Sequence, residues 1–150
     1  MQTISVRLAT PADLDTVALL FNGYRQFYEQ PDDLALARRF IGERMAKGQS
    51  TILIAEDAMG TARGFSQLYP SFCSVIAAPI YVLYDLYVAP GERKSGMGKA
   101  LLQFAAQYAR QQGAARMDLT TARNNLPAQA LYASLGWQLD EVFLAYNLNL

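Results

Sequence analysis

Two neighbouring stretches of the chain bring together residue types and spacings that could do chemistry. Beyond Val88 the sequence runs Ala89-Pro90-Gly91-Glu92-Arg93-Lys94-Ser95-Gly96-Met97-Gly98-Lys99. Glycines two apart let successive backbone N–H groups converge, and a helix starting there adds its free N-terminal donors and positive dipole end. Such a turn suits a pyrophosphate, although the same glycines also serve a plain strand-to-helix connection. A P-loop fits poorly, with Arg93 where it needs its first glycine and Ala100 where it needs Ser or Thr. So does a dinucleotide fingerprint starting at Gly96, which meets Leu101 instead of its third glycine. Just upstream, Asp85 is the lone charge in the apolar run 79–88. It reads either as a proton acceptor or as a structural carboxylate bonded to nearby backbone or an arginine.

Composition narrows the chemistry further. The chain has 150 residues and no histidine, which removes Ser-His-Asp and Cys-His catalysis, the zincin motifs and most transition-metal sites. No metal is expected. Acid–base work falls to Asp, Glu, Tyr, Lys, Cys or water. The sole cysteine, Cys73, can form no internal disulfide and reads as a structural thiol in a reducing compartment. Thirteen basic and thirteen acidic residues give a net charge of zero, which argues against nucleic acid or an anionic membrane as main partner. No basic segment leads into an apolar one at the start, and no run of 18 apolar residues occurs, so a cytoplasmic location is expected.

The elements that must position these residues follow from periodicity. Residues 2–8 alternate as a strand, and Thr10-Pro11-Ala12-Asp13 opens a helix through Val17, Leu20, Phe21, Tyr24 and Tyr28. Pro31 stops it, and a second helix carries Leu34, Ala37, Ile41 and Met45 on one face. Strands 51–57 and 63–69 join across Met59-Gly60, and 79–88 is a long apolar strand. A helix from Met97, a strand over 115–121, a short helix at 127–135 and closing strands within 137–150 complete the chain. This order predicts one α/β domain over 1–150, a mixed central sheet with helices on both faces.

The turn matches Arg/Gln-x-x-Gly-x-Gly/Ala at a helix start after a strand ending in Val-x-Pro. Asn125, Ala128, Tyr132 and Leu135-Gly136-Trp137 match Asn-x-x-Ala-x-x-x-Tyr-x-x-x-Gly-aromatic. With both motifs, the chain resembles the GNAT superfamily of N-acetyltransferases over essentially its whole length. Tyr24-Arg25-x-Phe27-Tyr28, Gly64-Phe65-x-Gln67-Leu68-Tyr69 and Asp85-Leu86-Tyr87-Val88 look like the small microbial diamine and histone-type branch. Two positions depart from that pattern. Lys94 replaces a frequent glycine, and Tyr84 stands where the diamine enzymes carry a glutamate, so the resemblance assigns no base there.

The resemblance implies acetyl-CoA as co-substrate and direct attack of an amine on its thioester. An alkyl amine of pKa about 10.4 costs about 4.6 kcal/mol to deprotonate at pH 7, so a proton acceptor, Asp85 or water, is useful. Backbone N–H of Leu86 or Tyr87 is implied as the oxyanion donor, with Leu86, Tyr87 and Val88 pairing with the pantetheine arm. Arg93, Lys94, Ser95, Gly96, Met97, Gly98 and Lys99 are implied at the phosphates and Asn125 at the arm. Tyr132 is implied as the acid that protonates the departing thiolate. Tyr24, Tyr28, Glu29 and Tyr69, with Asp32, Asp33 and Phe72, are implied to face the acceptor, a small primary amine, a polyamine-like compound or a lysine. A homodimer paired through the apolar tail is also implied. Two rival readings stay open: a catalytically silent CoA-binding regulatory domain, and a purely structural domain with a fortuitous turn.

Overall fold

In the computed structural model, which describes residues 3–150, the first strand is β1 (Ser5–Leu8). Of the residues expected in it, Gln2 lies outside the described ones. Thr10 then closes a capping box with Asp13, whose carboxylate also takes two bonds from Arg7 at 2.9 Å. Those bonds hold Asp13 well below the usual carboxylate pKa. A 3-10 turn, Pro11–Asp13, leads into α1 (Leu14–Phe27), and α2 (Leu34–Ala46) follows with Asp33 as its N-cap on Leu36 N.

Four more strands and two more helices complete the chain. These are β2 (Thr51–Glu56), β3 (Ala62–Cys73), β4 (Ala78–Val88), α3 (Met97–Gln111), β5 (Met117–Asp118) and α4 (Leu126–Ser134). The sheet order is β1-β2-β3-β4-β5, antiparallel throughout except for the parallel β4–β5 pair that α3 connects. The chain divides into two compact units, one running to Thr120 and the other Thr121–Leu150.

In the first unit, helices cover both faces of the sheet. Ile52, Ile54 and Phe65 pack with Val17, Phe21, Ala37 and Ile41 of α1 and α2. The alternate residues Leu53 and Leu68 are buried on the other face, as are Met97, Leu101, Leu102 and Ala105 of α3. Burial on both faces explains why β2 reads as an unbroken apolar run.

The closing strands expected within 137–150 do not form. Asp140 accepts from the N–H groups of Val142 and Phe143 at 2.8 and 3.0 Å, a local turn. From Gln138 onward every residue is exposed. The apolar run Val142-Phe143-Leu144-Ala145-Tyr146 suits a strand, but a ladder also needs a partner edge, and among the described residues none pairs with this segment. The strand expected over 115–121 likewise shortens to Met117–Asp118.

Candidate functional site

A β-bulge aims the lone buried carboxylate. Gln67 stands opposite Asp85, but the next residue, Leu68, stands opposite Leu83, so Tyr84 is extra on β4. In a regular strand residues two apart share a face, which would put Asp85 on the face of Leu83; the bulge at Tyr84 breaks that alternation, and Asp85 shares the α1 face with Gln67. There Gln67 Nε2 donates to Asp85 Oδ2 at 2.6 Å, and Ser50 Oγ donates to Gln67 Oε1 at 2.8 Å. Asp85 is only 2% exposed. Burial raises its pKa to about 6, against the lowering effect of the Gln67 bond and of the Tyr24 hydroxyl beside it.

Aromatic rings line this position. The Tyr24 hydroxyl donates to the Tyr84 carbonyl at 3.2 Å and lies beside the Asp85 carboxylate. Tyr24 meets Tyr28 edge-on at 5.1 Å between centroids, and Tyr69 meets Tyr84 at 5.7 Å. Burial, with Asp85 nearby, keeps Tyr24 neutral and pushes Tyr69 up to about 12. Of the expected acceptor-facing residues, Tyr24 and Tyr69 are therefore brought to Asp85, and Tyr28 joins through Tyr24. The acids do other work. Asp32 accepts from Asn22 at 2.8 Å, Asp33 caps α2, and Glu29 is exposed in a left-handed turn at φ 63°.

Beside Asp85, one edge of β4 lies open. The β5 register covers only Tyr81 and Val82, so among the described residues the stretch from Leu83 to Val88 has no strand on that side. Ala89 N–H bonds Arg63 O across to β3. Strand alternation then turns the polar backbone groups of Tyr87 toward β3 and those of Leu86 and Val88 toward the open edge. Of the two N–H groups expected as oxyanion donors, that of Leu86 faces the open edge and that of Tyr87 faces β3.

The turn that follows is built for converging N–H groups. Lys94 and Gly96 both take left-handed backbone, at φ 68° and 91°, and Gly96 is the N-cap of α3. The first-turn amides Met97, Gly98 and Lys99 have no i−4 partner by position. Ser95 Oγ is a buried polar atom without a partner among the described residues. An orphaned hydroxyl, a helix N-terminus and exposed Arg93, Lys94 and Lys99 fit the phosphates of acetyl-CoA. Arg93 is engaged on its other side as well: Nε donates to Val88 O at 3.1 Å, and its guanidinium lies 5.3 and 5.8 Å from the Phe27 and Tyr87 ring centroids. Tyr87 in turn rests against Gly23 of α1, where a Cβ would sit 2.7 Å from its hydroxyl.

In the second unit, the Asn125…Gly136-Trp137 spacing is the length of one capped helix. Asn125 Oδ1 accepts from Ala128 N at 3.4 Å at the start of α4. At the end, Gly136 takes φ 92°, Trp137 N bonds Tyr132 O and Gly136 N bonds Ala133 O, a Schellman motif. Tyr132 stands at the third position from that end, with its ring 6.1 Å from Trp137. The caps thereby fix its place on the helix. Sequence reasoning gave no role to Gln67 or Ser50 and did not foresee the bulge. The one available signal was the polar pair Ser66-Gln67 between Phe65 and Leu68 in β3.

Comparison with known proteins gives a consistent picture. The acetyltransferase (GNAT) family model matches residues 17–137. The N-acetyltransferase YhfO of Bacillus subtilis (strain 168) is 43% identical over 146 residues, 97% of each chain. An L-methionine sulfoximine/L-methionine sulfone acetyltransferase of Pseudomonas aeruginosa is 29% identical over 91% of this chain and 81% of its own. A crystal structure described as a probable acetyltransferase superposes with a TM-score of 0.91 at 36% identity, covering 97% of both chains.

Proposed function

Because the chain belongs to the acetyltransferase (GNAT) family, we propose that it moves the acetyl group of acetyl-CoA directly to a small primary amine, with Asp85 taking the amine proton. Membership makes the chain an N-acetyltransferase; the acceptor and the residue roles are our reading. The observation that carries it is a buried carboxylate turned by a bulge beside an open strand edge.

The ammonium form of the acceptor enters among Tyr24, Tyr28 and Tyr69, whose ring faces favour a cation. Ionised Asp85 removes one proton, and the freed nitrogen attacks the thioester carbon. The C–N bond forms as the carbonyl π electrons move to oxygen, which Leu86 N–H stabilises. Collapse breaks the C–S bond; the thiolate leaves and takes a proton from Tyr132. Water then reprotonates Tyr132, Asp85 releases its proton to solvent, and the nitrogen sheds its second proton. The sum is ammonium plus acetyl-CoA giving amide, CoA thiol and one proton. Direct attack suits a chain without histidine to activate Cys73. The Gly96–Gly98 turn, Ser95 and the cations Arg93, Lys94 and Lys99 hold the phosphates, and Asn125 meets the pantetheine arm.

Supporting a small acceptor, the Pseudomonas relative is named for L-methionine sulfoximine and L-methionine sulfone. We also read residues 1–150 as one functional domain, placed in the cytoplasm, where the free Cys73 stays reduced. The chain acts as a homodimer, supported by the exposed apolar tail: Val142, Phe143, Leu144 and Tyr146 are each at least 76% exposed. Light scattering at working concentration checks this, and a monomer would remove it. The function itself is tested by acetyl-CoA-dependent thiol release across a panel of primary amines, amino acids and lysine peptides. Release with a small amine is expected; CoA binding without turnover on any amine would instead favour a silent regulatory domain.

A further inference from the structure

The hydrogen bonds behind Asp85 form a directed chain. An ionised carboxylate only accepts hydrogen bonds, so the NH₂ end of Gln67 must face Asp85 Oδ2, 2.6 Å away. That leaves the amide carbonyl in need of a donor, and Ser50 Oγ supplies one at 2.8 Å. Gln67 is fully buried, so no solvent competes for its amide. Ser50, just before β2, is half-buried at the outer end of the chain. Because Gln67 and Asp85 are cross-strand partners, the bond length is set by the sheet register rather than by a mobile loop.

We propose that Gln67, its amide locked by Ser50, is a positioning residue that holds the Asp85 carboxylate in place and stabilises its ionised form. This rests on Asp85 being the proton acceptor. A free glutamine amide could present its carbonyl to the carboxylate, which would repel it; the Ser50 hydroxyl disfavours that orientation. The remaining groups near Asp85 are Tyr24 from α1, Tyr69 from β3 and Tyr84 from its own strand, while Arg44 of α2 acts on Tyr69. Tyr24 and Tyr69 stay neutral between pH 5 and 9, so an acid limb there that Asp85→Asn removes belongs to Asp85. Removing the Gln67 donor leaves burial less opposed, and the limb moves to higher pH.

The test is the pH dependence of kcat/KM from pH 5 to 9 in the full chain, with the best amine from the panel and thermal midpoints recorded alongside. Gln67→Glu keeps the shape but sets a second carboxyl against Asp85, and should move the acid limb up by about one pH unit or more. Ser50→Ala frees the amide to turn and should move the limb in the same direction by less, while Ser50→Thr, which keeps the hydroxyl, returns it. A purely structural Gln67 would lower the thermal midpoint in Ser50→Ala and leave its limb in place, which overturns the proposal. Should Gln67→Glu fail to fold, an unmoved limb in Ser50→Ala overturns it equally. Asp85→Asn separates the two levels. If that variant keeps the wild-type limb, the proton-acceptor reading itself fails. If it loses the limb while Gln67→Glu and Ser50→Ala keep theirs, only the role of Gln67 falls.

Discussion

The glycine turn before α3 and the surroundings of Asp85 are made of different materials. The turn is mostly backbone: left-handed residues at 94 and 96 and the first amides of α3, with Arg93, Lys94, Gly96 and Lys99 exposed. The Asp85 site is mostly side chain and buried, assembled from α1, β3, β4 and the residue before β2. A backbone cradle tolerates changes in outward side chains but not an added branch where the ligand lies. A buried carboxylate responds in the opposite sense, since the fold absorbs its shape but every neighbouring dipole shifts its charge state.

That contrast orders the expected effects. The largest is Gly98→Val, which places a branched side chain at the cradle. Losing two charge-assisted bonds of about 1.5–3 kcal/mol each should weaken acetyl-CoA binding by about 10²–10⁴-fold, with little change in stability. Calorimetry on the folded variant checks it, and normal binding would misplace the cofactor.

Next comes Tyr132→Phe, expected to lower kcat by about 10- to 1,000-fold with acetyl-CoA affinity nearly unchanged, because general acid catalysis is lost while the ring remains. Single-turnover kinetics at saturating acetyl-CoA would reveal an unaltered rate if Tyr132 only packs against Trp137.

A smaller effect concerns stability. Folded Asp85 has a pKa of about 6, above the unfolded value of about 3.9. The folded state therefore holds the proton more tightly, and the stability this contributes is full below about pH 4 and lost as pH rises through 6. Asp85→Asn removes that penalty and can still accept from Gln67. It should be more stable than the wild type at pH 7.5, by about 1–3 kcal/mol, and no more stable at pH 4. Denaturant titrations at the two pH values provide the comparison, and a loss of stability at pH 7.5 would contradict it.

Smallest is Lys94→Gly. It relieves a left-handed side-chain residue but frees the unfolded chain, for a net gain under about 1 kcal/mol. A thermal midpoint that falls by several degrees would mean that the Lys94 side chain holds the turn.

The same contrast explains what could be read in the sequence. Local signals were legible: the Thr10 N-cap with Pro11 and Asp13 after it, and the Gly96-x-Gly98 turn, each depend on residues within a few positions, while α1 ends at Phe27, ahead of Pro31. The Asn125-to-Trp137 spacing proved to be cap-to-cap distance on α4. Non-local features were not. Nothing in Tyr84 itself marks it as the extra residue of a bulge, because the bulge exists only against the register of β3. Gln67 meets Asp85 through pairing across 18 positions. The tail misled for a related reason: its apolar run at 142–146 reports side-chain character and says nothing about whether an edge is available to pair with.

The central claim, that a buried carboxylate turned by the bulge takes the amine proton, is tested most directly by comparing kcat/KM against pH for wild type and Asp85→Asn with one alkyl amine. The wild type should rise through pH 6 and level off, as the carboxylate ionises. The variant should be about 10²–10⁴-fold slower near pH 7 and keep climbing toward pH 9, since only amine already neutral in solution can react. Superimposable profiles for the two proteins would contradict the account.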